Sequence, residues 1–359
     1  MKIIFISNNL ASTHDKNRIE EFIGQGADVA VYGFSRTADS GRVRDSDLYK
    51  PTVVGNIEPR YSSRIRTYWN AIKKITSIHK NENCIYYLFG FDLAMVFYFQ
   101  KKNLRYIYEE ADLVYTYIGS KLVISILKMI DKRVIEGSFK TVMTSQGFIR
   151  YHFSDRVPDN VILVTNRLNQ SVLGCRGKVK QIFDKNKIKI GFVGAPRFKS
   201  IYNFIEVFCT NFPKYEFHVY GGPIPNDFEP LKKFTNCYFH GRFTSPIDLP
   251  DIYSDIDIVL CTYHVTSDNV KYAEPNKIYE SIYFETPILV SKGTFLESKV
   301  TDLGIGYSID AMNNNEIIDF VNTLDKETIN KCIYNIRKID KSYCIDRNTE
   351  FIQSLLLLQ

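Results

Sequence analysis

The 359-residue sequence lacks several features that mark whole classes of protein. It has one tryptophan, and its seven cysteines are scattered without a Cys-x-x-Cys pair, which argues against a disulfide framework and a zinc site. The apolar run at residues 2–6 is too short for a signal peptide. No run of about 18 uncharged apolar residues, the length that spans a bilayer, is present. We therefore expect a cytoplasmic chain whose thiols are reduced.

The excess of basic over acidic residues is small. Lys and Arg number 46 and Asp and Glu 40, which leaves a net charge of +6. This excess does not indicate a nucleic-acid-binding protein, and no nucleic-acid-binding module is recognisable. With 45% apolar and 24% charged residues, the chain is not disordered, collagen-like or a coiled coil. The abundant aromatic residues, 25 Phe and 24 Tyr, are expected mainly in the core.

Apolar runs typical of strands alternate with helical patterns through the first half of the chain. This alternation predicts a parallel, doubly wound sheet. The predicted strands cover residues 2–7, 29–33, 84–89, 105–108, 141–144 and 161–164. Helical patterns lie near 15–25, 62–80, 91–101 and 118–136.

The same alternation begins again after residues 166–187, a Gly-, Lys- and Gln-rich segment that we interpret as a linker. A strand over 187–194 enters a glycine turn, and further elements follow: a helix over 199–211 and strands over 216–220, 237–239, 256–261 and 287–291. Residues 340–358 predict a helix that returns to cover the first domain. The predicted fold is α/β, with two Rossmann-like doubly wound parallel-sheet domains, 1–170 and 171–340, and a C-terminal helix at 341–359.

Ligands of such sheets bind beyond the carboxyl ends of the strands, so the loops there are candidate sites. The first loop lacks Gly-x-Gly-x-x-Gly, which argues against NAD or FAD. Asp15 is a favoured residue type for a helix N-cap, whereas His14 and Arg18 could face a cleft.

The loop after the first strand of the second domain has the composition of a phosphate site. Gly194 forms a turn before a helix, with Arg197 and Lys199 beside it. Free amides at a helix N-terminus and two cations would together bind a pyrophosphate. A solvated charged loop is the alternative.

A second candidate site follows in the segment Glu274-Pro275-Asn276-Lys277-Ile278-Tyr279-Glu280. Pro275 suits a helix start, and the spacing of Lys277 and Glu280 places them on one helix face. Glu280 could accept hydrogen bonds from ribose hydroxyls, while Lys277 could reach phosphate. A weak surface ion pair between the two residues is the alternative.

This segment resembles the donor-binding element of GT-B glycosyltransferases, notably the family 4 group of bacterial capsule, exopolysaccharide and O-antigen enzymes. The matching residues are Pro275, Asn276, Lys277, Glu280 and Pro287. The resemblance implies that a UDP- or GDP-sugar binds the C-terminal domain and that the acceptor, a lipid-linked or other saccharide, binds the N-terminal domain, with a cleft between them. The donor-binding residues that it implies are Gly194, Arg197, Lys199, Gly222, Arg242, Asn276, Lys277, Tyr279 and Glu280.

The resemblance also implies a mechanism. Arg197 and Lys277 would stabilise the departing diphosphate, so we expect no metal ion and no cofactor. In the retaining reaction of this family the leaving phosphate takes the acceptor proton, whereas an inverting reaction needs a base, for which Asp112 and His14 are the candidates. Two Asp-x-Asp pairs that could bind a metal, at 45–47 and 255–257, are interpreted as loop and strand-end residues.

Two other functions remain open. One is a nucleotide-sugar epimerase of the same fold, which would need acids and a histidine in the cleft. The other is a non-catalytic transferase-like partner subunit, since Tyr272 stands where many family members have a glutamate, eight residues before Glu280.

Residues 60–80 predict a basic amphipathic helix that could lie on anionic lipid. Its side chains are Arg60, Arg64, Arg66, Lys73, Lys74 and Lys80 beside Tyr61, Tyr68, Trp69 and Ile72. Residues 121–133 add further basic side chains, and a solvated helix face is the alternative. We expect a protein that is cytoplasmic, either free or peripheral at the inner face of the plasma membrane.

Overall fold

The computed structural model describes residues 1–36, 43, 46–58, 61–101, 103–154, 156–175 and 187–357, with only the backbone at 61 and 62. Arg60 and Asp45, both named above, lie outside these residues. The chain divides into two units, Met1–Thr165 with Arg347–Gln359 and Asn166–Asp346. The second unit thus begins at Asn166, where the sequence predicted residue 171.

The first unit contains a seven-stranded parallel sheet in the order β3-β2-β1-β4-β5-β6-β7. The central strands are mostly apolar and almost wholly buried, as both faces of a parallel sheet require. The strands are β1 (Lys2–Ser7), β2 (Asp28–Arg36), β3 (Thr52–Ile57), β4 (Cys84–Phe89), β5 (Tyr106–Glu110), β6 (Lys140–Met143) and β7 (Val161–Leu163).

Six helices belong to the described part of this unit. Ser12 caps the first and Ser120 the fourth, each by accepting a hydrogen bond from a backbone amide. The helices are α1 (Thr13–Gly24), α2 (Tyr61–Ile78), α3 (Phe91–Gln100), α4 (Lys121–Gly137), α5 (Gln146–His152) and, at the C-terminus of the chain, α13 (Asn348–Leu356).

Helix α13 packs on α1 within the first unit. The rings of Phe22 and Phe351 meet edge to face at 6.3 Å, and Asn348 donates to both carboxylate oxygens of Glu21. Ile352 and Leu355 are buried in the same core, so the leucine-rich C-terminal segment contributes to the stability of the first unit.

The second unit contains a six-stranded parallel sheet in the order β10-β9-β8-β11-β12-β13. Its strands are β8 (Lys189–Val193), β9 (Glu216–Tyr220), β10 (Cys237–Gly241), β11 (Ile258–Cys261), β12 (Ile288–Ser291) and β13 (Gly306–Ile309). The helices are α6 (Lys199–Asn211), α7 (Leu249–Asp255), α8 (Asp268–Tyr272), α9 (Lys277–Tyr283), α10 (Phe295–Leu303), α11 (Asn314–Asn322) and α12 (Lys326–Arg337). The predicted fold class, with two Rossmann-like parallel sheets, is confirmed.

The predicted helix at 340–358 is wrong in its first half, because the residues up to Asp346 belong to the second unit. Leu168 donates its amide to the Cys344 carbonyl, and Asp346 donates to the Leu168 carbonyl. This extended pairing uses backbone groups that a helix would need for itself. Only Lys341–Cys344 makes a helical turn, of the 3₁₀ type.

All seven cysteines lie in the described residues as free thiols. Bilayer crossing would need a longer and more apolar helix than any in the described residues.

Candidate functional site

Two glycines bring the loops after β8 and β9 into contact. Gly194 has φ 131° and Gly221 φ 135°, in the region that side chains disfavour. A Cβ on Gly221 would lie 2.1 Å from the carbonyl oxygen of Gly194, so no side chain fits there. The Gly194 amide donates to the Tyr220 carbonyl at 2.7 Å. The carboxyl ends of these adjacent strands therefore form one close-packed backbone surface.

Lys277 lies at this surface although the chain places it far from Gly194. It is the first residue of α9, and its Nζ would be 3.4 Å from a Cβ on Gly194. The same atom is 5.1 Å from the centroid of the Phe192 ring. The structure thus brings together two of the predicted donor-binding residues.

Arg197 and the start of α6 complete a positive region beside Gly194. Arg197 is exposed, three residues along the same loop, and Lys199 is the exposed first residue of α6. Phe198 occupies the N-cap and makes no side-chain hydrogen bond to the helix. The N-terminus of α6 therefore has no side-chain cap, and the helix dipole there favours an anion.

Glu280 is buried and held in place by two side chains. Tyr253 donates to Oε2 at 2.5 Å, and Asn276 donates to Oε1 at 3.0 Å. Burial raises the pKa of Glu280 above its usual range, while these contacts and nearby Lys277 oppose that shift. Within the described residues Glu280 has no ion pair with Lys277, so the surface pair weighed above is not what the structure shows.

Tyr279 lies behind the loop, not at its surface. It is fully buried, and its hydroxyl donates to Glu274, which also accepts from the ammonium of Lys299. The buried side chain of Tyr279 therefore supports the loop from behind. Glu274, the acidic residue nearest to the expected position at 272, is likewise engaged within the protein.

The loops after β9 and β10 are adjacent as well. The Gly221 amide donates to the Gly241 carbonyl at 2.6 Å, and a Cβ on Gly222 would lie 3.8 Å from Cγ of Arg242. Arg242 is exposed. These two predicted donor-binding residues are therefore neighbours.

In the first unit, His14 is oriented by a buried carboxylate. His14 lies in the first turn of α1 with about a third of its side chain exposed, and its Nε2 is 2.8 Å from Oε1 of Glu109. Arg18 and Tyr87 also donate to Glu109. Although burial alone would raise the pKa of Glu109, the charges of Arg18 and His14 hold it well below its usual range.

The pKa of His14 is shifted in the opposite direction from that of Glu109. Burial alone would lower its pKa, but the charge of Glu109 and its hydrogen bond raise the pKa above 6.5. Asp112, the other candidate base, is exposed just beyond the end of β5. The first unit therefore offers one histidine positioned to carry a proton.

In the Asp-x-Asp pair at 255–257, both aspartates accept hydrogen bonds from protein groups. Asp255 accepts from Lys189 at 2.8 Å and from Tyr220 at 3.1 Å. Asp257 is buried and accepts from the amide of Lys189. Asp47 is exposed.

Glu109 and Tyr253 are site residues that sequence reasoning missed. The available signal for Glu109 was its place beside a second acid at the end of an apolar strand, because charged residues are rarely buried without partners. Tyr253 had no such signal, since its contact with Glu280 depends on how α7 and α9 pack.

No protein-family model matches the chain. No curated protein matches it in sequence either.

Solved structures of the same fold are found over the whole chain. Sucrose-phosphate synthase from Thermosynechococcus elongatus has a TM-score of 0.71 at 12% identity, covering 100% of this chain and 98% of its own. HepE from Anabaena, in complex with UDP, has a TM-score of 0.68 at 13% identity and covers 100% and 99%. WaaG, a glycosyltransferase involved in lipopolysaccharide biosynthesis, has a TM-score of 0.66 at 14% identity and covers 98% of each chain. The chain has the GT-B fold that these glycosyltransferases share.

Proposed function

We propose that this protein is a glycosyltransferase that moves a sugar from a UDP- or GDP-sugar to a lipid-linked or other saccharide acceptor in surface polysaccharide synthesis. The GT-B fold supports this proposal, as does the resemblance of residues 275–287 to the family 4 donor element. HepE has been solved with UDP-glucose, which makes UDP-sugars the first donors to test.

The position of Lys277 carries the proposal. Its ammonium group reaches the backbone of Gly194, beside exposed Arg197 and the uncapped start of α6. Charge on a leaving diphosphate grows as the glycosidic bond breaks, and fixed cations and amides at that place lower the barrier. Because two side chains and a helix terminus supply this positive charge, the proposal includes no metal ion at the diphosphate.

Glu280 is proposed to accept from the ribose hydroxyls. Tyr253 and Asn276 fix the orientation of the carboxylate, and a carboxylate has further lone pairs beyond the two that they occupy. The neighbouring residues Gly222 and Arg242, of which Arg242 is exposed, are proposed to flank the base.

We propose retention of configuration, with the leaving phosphate taking the acceptor proton. Support for retention comes from the family 4 resemblance. An inverting reaction would need a base, and His14 with its partner Glu109 has the geometry for one. The anomeric configuration of the product separates the two pathways, because a base at His14 predicts inversion.

The pair of His14 and Glu109 also supports the epimerase as a second candidate, since that reaction needs a histidine that acts as a general acid or base. An epimerase converts one nucleotide sugar into another without an acceptor. A transferase releases nucleoside diphosphate and forms a glycoside. A non-catalytic partner subunit does neither.

We propose that the protein binds anionic membranes through the first half of α4. Leu122, Ile126 and Met129 recur at helical spacing on one face and are all exposed, Leu122 by 72%. Lys121, Lys132 and Arg133 are exposed on the same helix. Exposed apolar side chains with flanking cations suit an anionic bilayer surface.

Helix α2, which the sequence favoured for this role, presents fewer suitable residues. Tyr68 and Ile72 are in the core, and Arg64 pairs with Asp92 at 3.1 Å. Trp69 remains exposed.

A panel of UDP- and GDP-sugars tests the function. Purified protein is incubated with each donor, with and without lipid-linked saccharide, and nucleoside diphosphate and glycoside are measured. Diphosphate release that increases with acceptor supports transfer. Conversion of the donor into another nucleotide sugar in the absence of acceptor indicates the epimerase. If the protein neither reacts with nor binds any nucleotide sugar, it is the partner subunit.

A further inference from the structure

Three buried ionisable side chains meet inside the first unit and have no part in the proposed reaction. The triad consists of Glu110, the last residue of β5, Asp131 in α4, and His152, the last residue of α5. All three side chains have zero exposure. The Nε2 atom of His152 is 3.1 Å from both oxygens of Glu110 and 3.6 Å from Oδ2 of Asp131.

Asp131 interacts with Glu110, His152 and Tyr115, yet it is poorly satisfied for a buried carboxylate. Neither of its oxygens has a hydrogen bond among the described residues, and neither has Nδ1 of His152. Buried polar atoms are nearly always satisfied, since leaving one unpaired costs about 1–3 kcal/mol. Two such oxygens, facing a histidine and a second carboxylate, make a suitable site for a cation.

The geometry fits a single metal ion. One ligand atom from each residue lies within 4.8 Å of the others. A tetrahedral ion with bonds of about 2.1 Å separates its ligands by about 3.4 Å, close to the 3.1 Å and 3.6 Å that separate Nε2 of His152 from Glu110 and Asp131. Among the described residues, no other group of three His, Cys, Asp or Glu side chains meets in this way.

The ligand types narrow the choice of ion. Two carboxylates and an imidazole, with no thiolate, suit Zn²⁺ or Mn²⁺ better than softer ions. Two negative charges and a neutral imidazole also balance a divalent cation, which removes the repulsion between Glu110 and Asp131.

Protons compete with a metal ion for the side chains of the triad. Burial raises the pKa of Glu110 to about 7 and raises that of Asp131, where Glu110 adds to the shift. Burial lowers the pKa of His152 to about 4, which leaves its imidazole neutral and able to act as a ligand. Burial thus favours the protonated form of both carboxyls when no cation is bound.

We propose that Glu110, Asp131 and His152 bind one divalent transition-metal cation, Zn²⁺ or Mn²⁺, that joins β5, α4 and α5. Because the triad is wholly buried, the ion would be structural. It would stabilise the first unit, and with it the helix that we propose to contact the membrane.

Metal content measured by mass spectrometry tests the proposal. The full chain is produced in medium supplemented with ZnCl₂ or MnCl₂ and purified without a metal-affinity column. We expect about one equivalent of one ion per chain, and a Tm about 5 °C above that of protein refolded with a chelator. Asp131→Asn and His152→Gln should each lose the ion.

His79→Gln is the matched control. His79 is a buried histidine of the same unit that bonds Tyr32 and pairs with Glu82, outside the triad. The His79→Gln variant should retain one full equivalent of the metal ion per chain. Wild-type protein with less than about 0.1 equivalent of either ion overturns the proposal, as does metal that both triad variants retain.

If the triad variants do not fold, X-ray absorption of the wild-type protein identifies the ligands of the bound ion. A shell of oxygen and one imidazole nitrogen supports the triad. A sulfur ligand or several imidazoles places the ion elsewhere and overturns the proposal.

Discussion

The Nε2 atom of His14 lies 2.8 Å from Oε1 of Glu109, a carboxylate with no exposed side-chain surface at the end of β5. The pair couples the first turn of α1 to the sheet. Because the proton affinity of the half-buried His14 depends on Glu109, the pair makes the stability of the fold depend on pH.

We expect His14 to stabilise the fold more at low pH than at high pH. Its pKa is raised in the folded protein, so its contribution is fully present below the unfolded value of about 6.5 and is lost as the pH rises through the folded value. The free energy of unfolding, from urea titration, should differ more between wild type and His14→Gln at about pH 6 than at about pH 9. A constant difference would refute the coupling, and Lys16→Gln on the same helix controls for surface charge.

Gly194→Ala should reduce donor turnover at least about tenfold and destabilise the protein by about 1–3 kcal/mol. The new Cβ would have φ 131° and would lie 3.4 Å from Nζ of Lys277. Initial rates and urea unfolding measure the two effects. Gly174→Ala is the control, because its Cβ would meet nothing within 4 Å and its φ is not in the left-handed region. Equal turnover in the two variants would argue against a role for the Gly194 backbone.

Glu285→Gly should be more stable than Glu285→Ala by about 1 kcal/mol. Glu285 has φ 57°, which glycine adopts without the steric penalty that alanine meets. Both changes remove the ion pairs to Arg337 at 2.7 Å and Lys341 at 3.0 Å, so the comparison isolates the backbone. Urea unfolding measures the difference, and a more stable alanine variant would contradict the assignment.

Much of the fold could be predicted because its central elements have clear boundaries. The predicted spans of β4, β9 and α6 match the structure. The strands β3 and β13 had no prediction: they are sheet edges whose residues are mostly half-buried or exposed, so their apolar pattern is weak. The other two edge strands, β7 and β10, were predicted, so a weak pattern hides some edge strands and not all of them.

One part of the candidate site could be predicted without any topology, because its residues are neighbours in sequence as well as in space. Lys277 and Glu280 share one helix, and their prediction needed no topology. Glu110, Asp131 and His152 come from three elements, so only the tertiary fold brings them together. Likewise the buried face of α2 depends on which strands it covers, and composition alone did not place Tyr68 in the core.

Ile126→Asp should weaken binding to vesicles that contain anionic lipid. It places a charge in the middle of the exposed apolar face of α4, where desolvation and repulsion both oppose binding. Co-sedimentation at low salt measures the loss. Ile78→Asp, at an exposed apolar position of α2, should bind as the wild type does. A larger loss with Ile78→Asp would assign the contact to α2.

The most direct test of the proposed function is the rate of nucleoside diphosphate release by wild type and Lys277→Ala with the preferred donor and acceptor. Lys232, which pairs with Glu229 on the surface of the same unit, supplies the control variant Lys232→Ala. Lys277→Ala should lower kcat by about 10²- to 10³-fold, because the positive charge at the leaving diphosphate is lost. Lys232→Ala should leave kcat unchanged, and equal kcat values for wild type and Lys277→Ala would contradict the account.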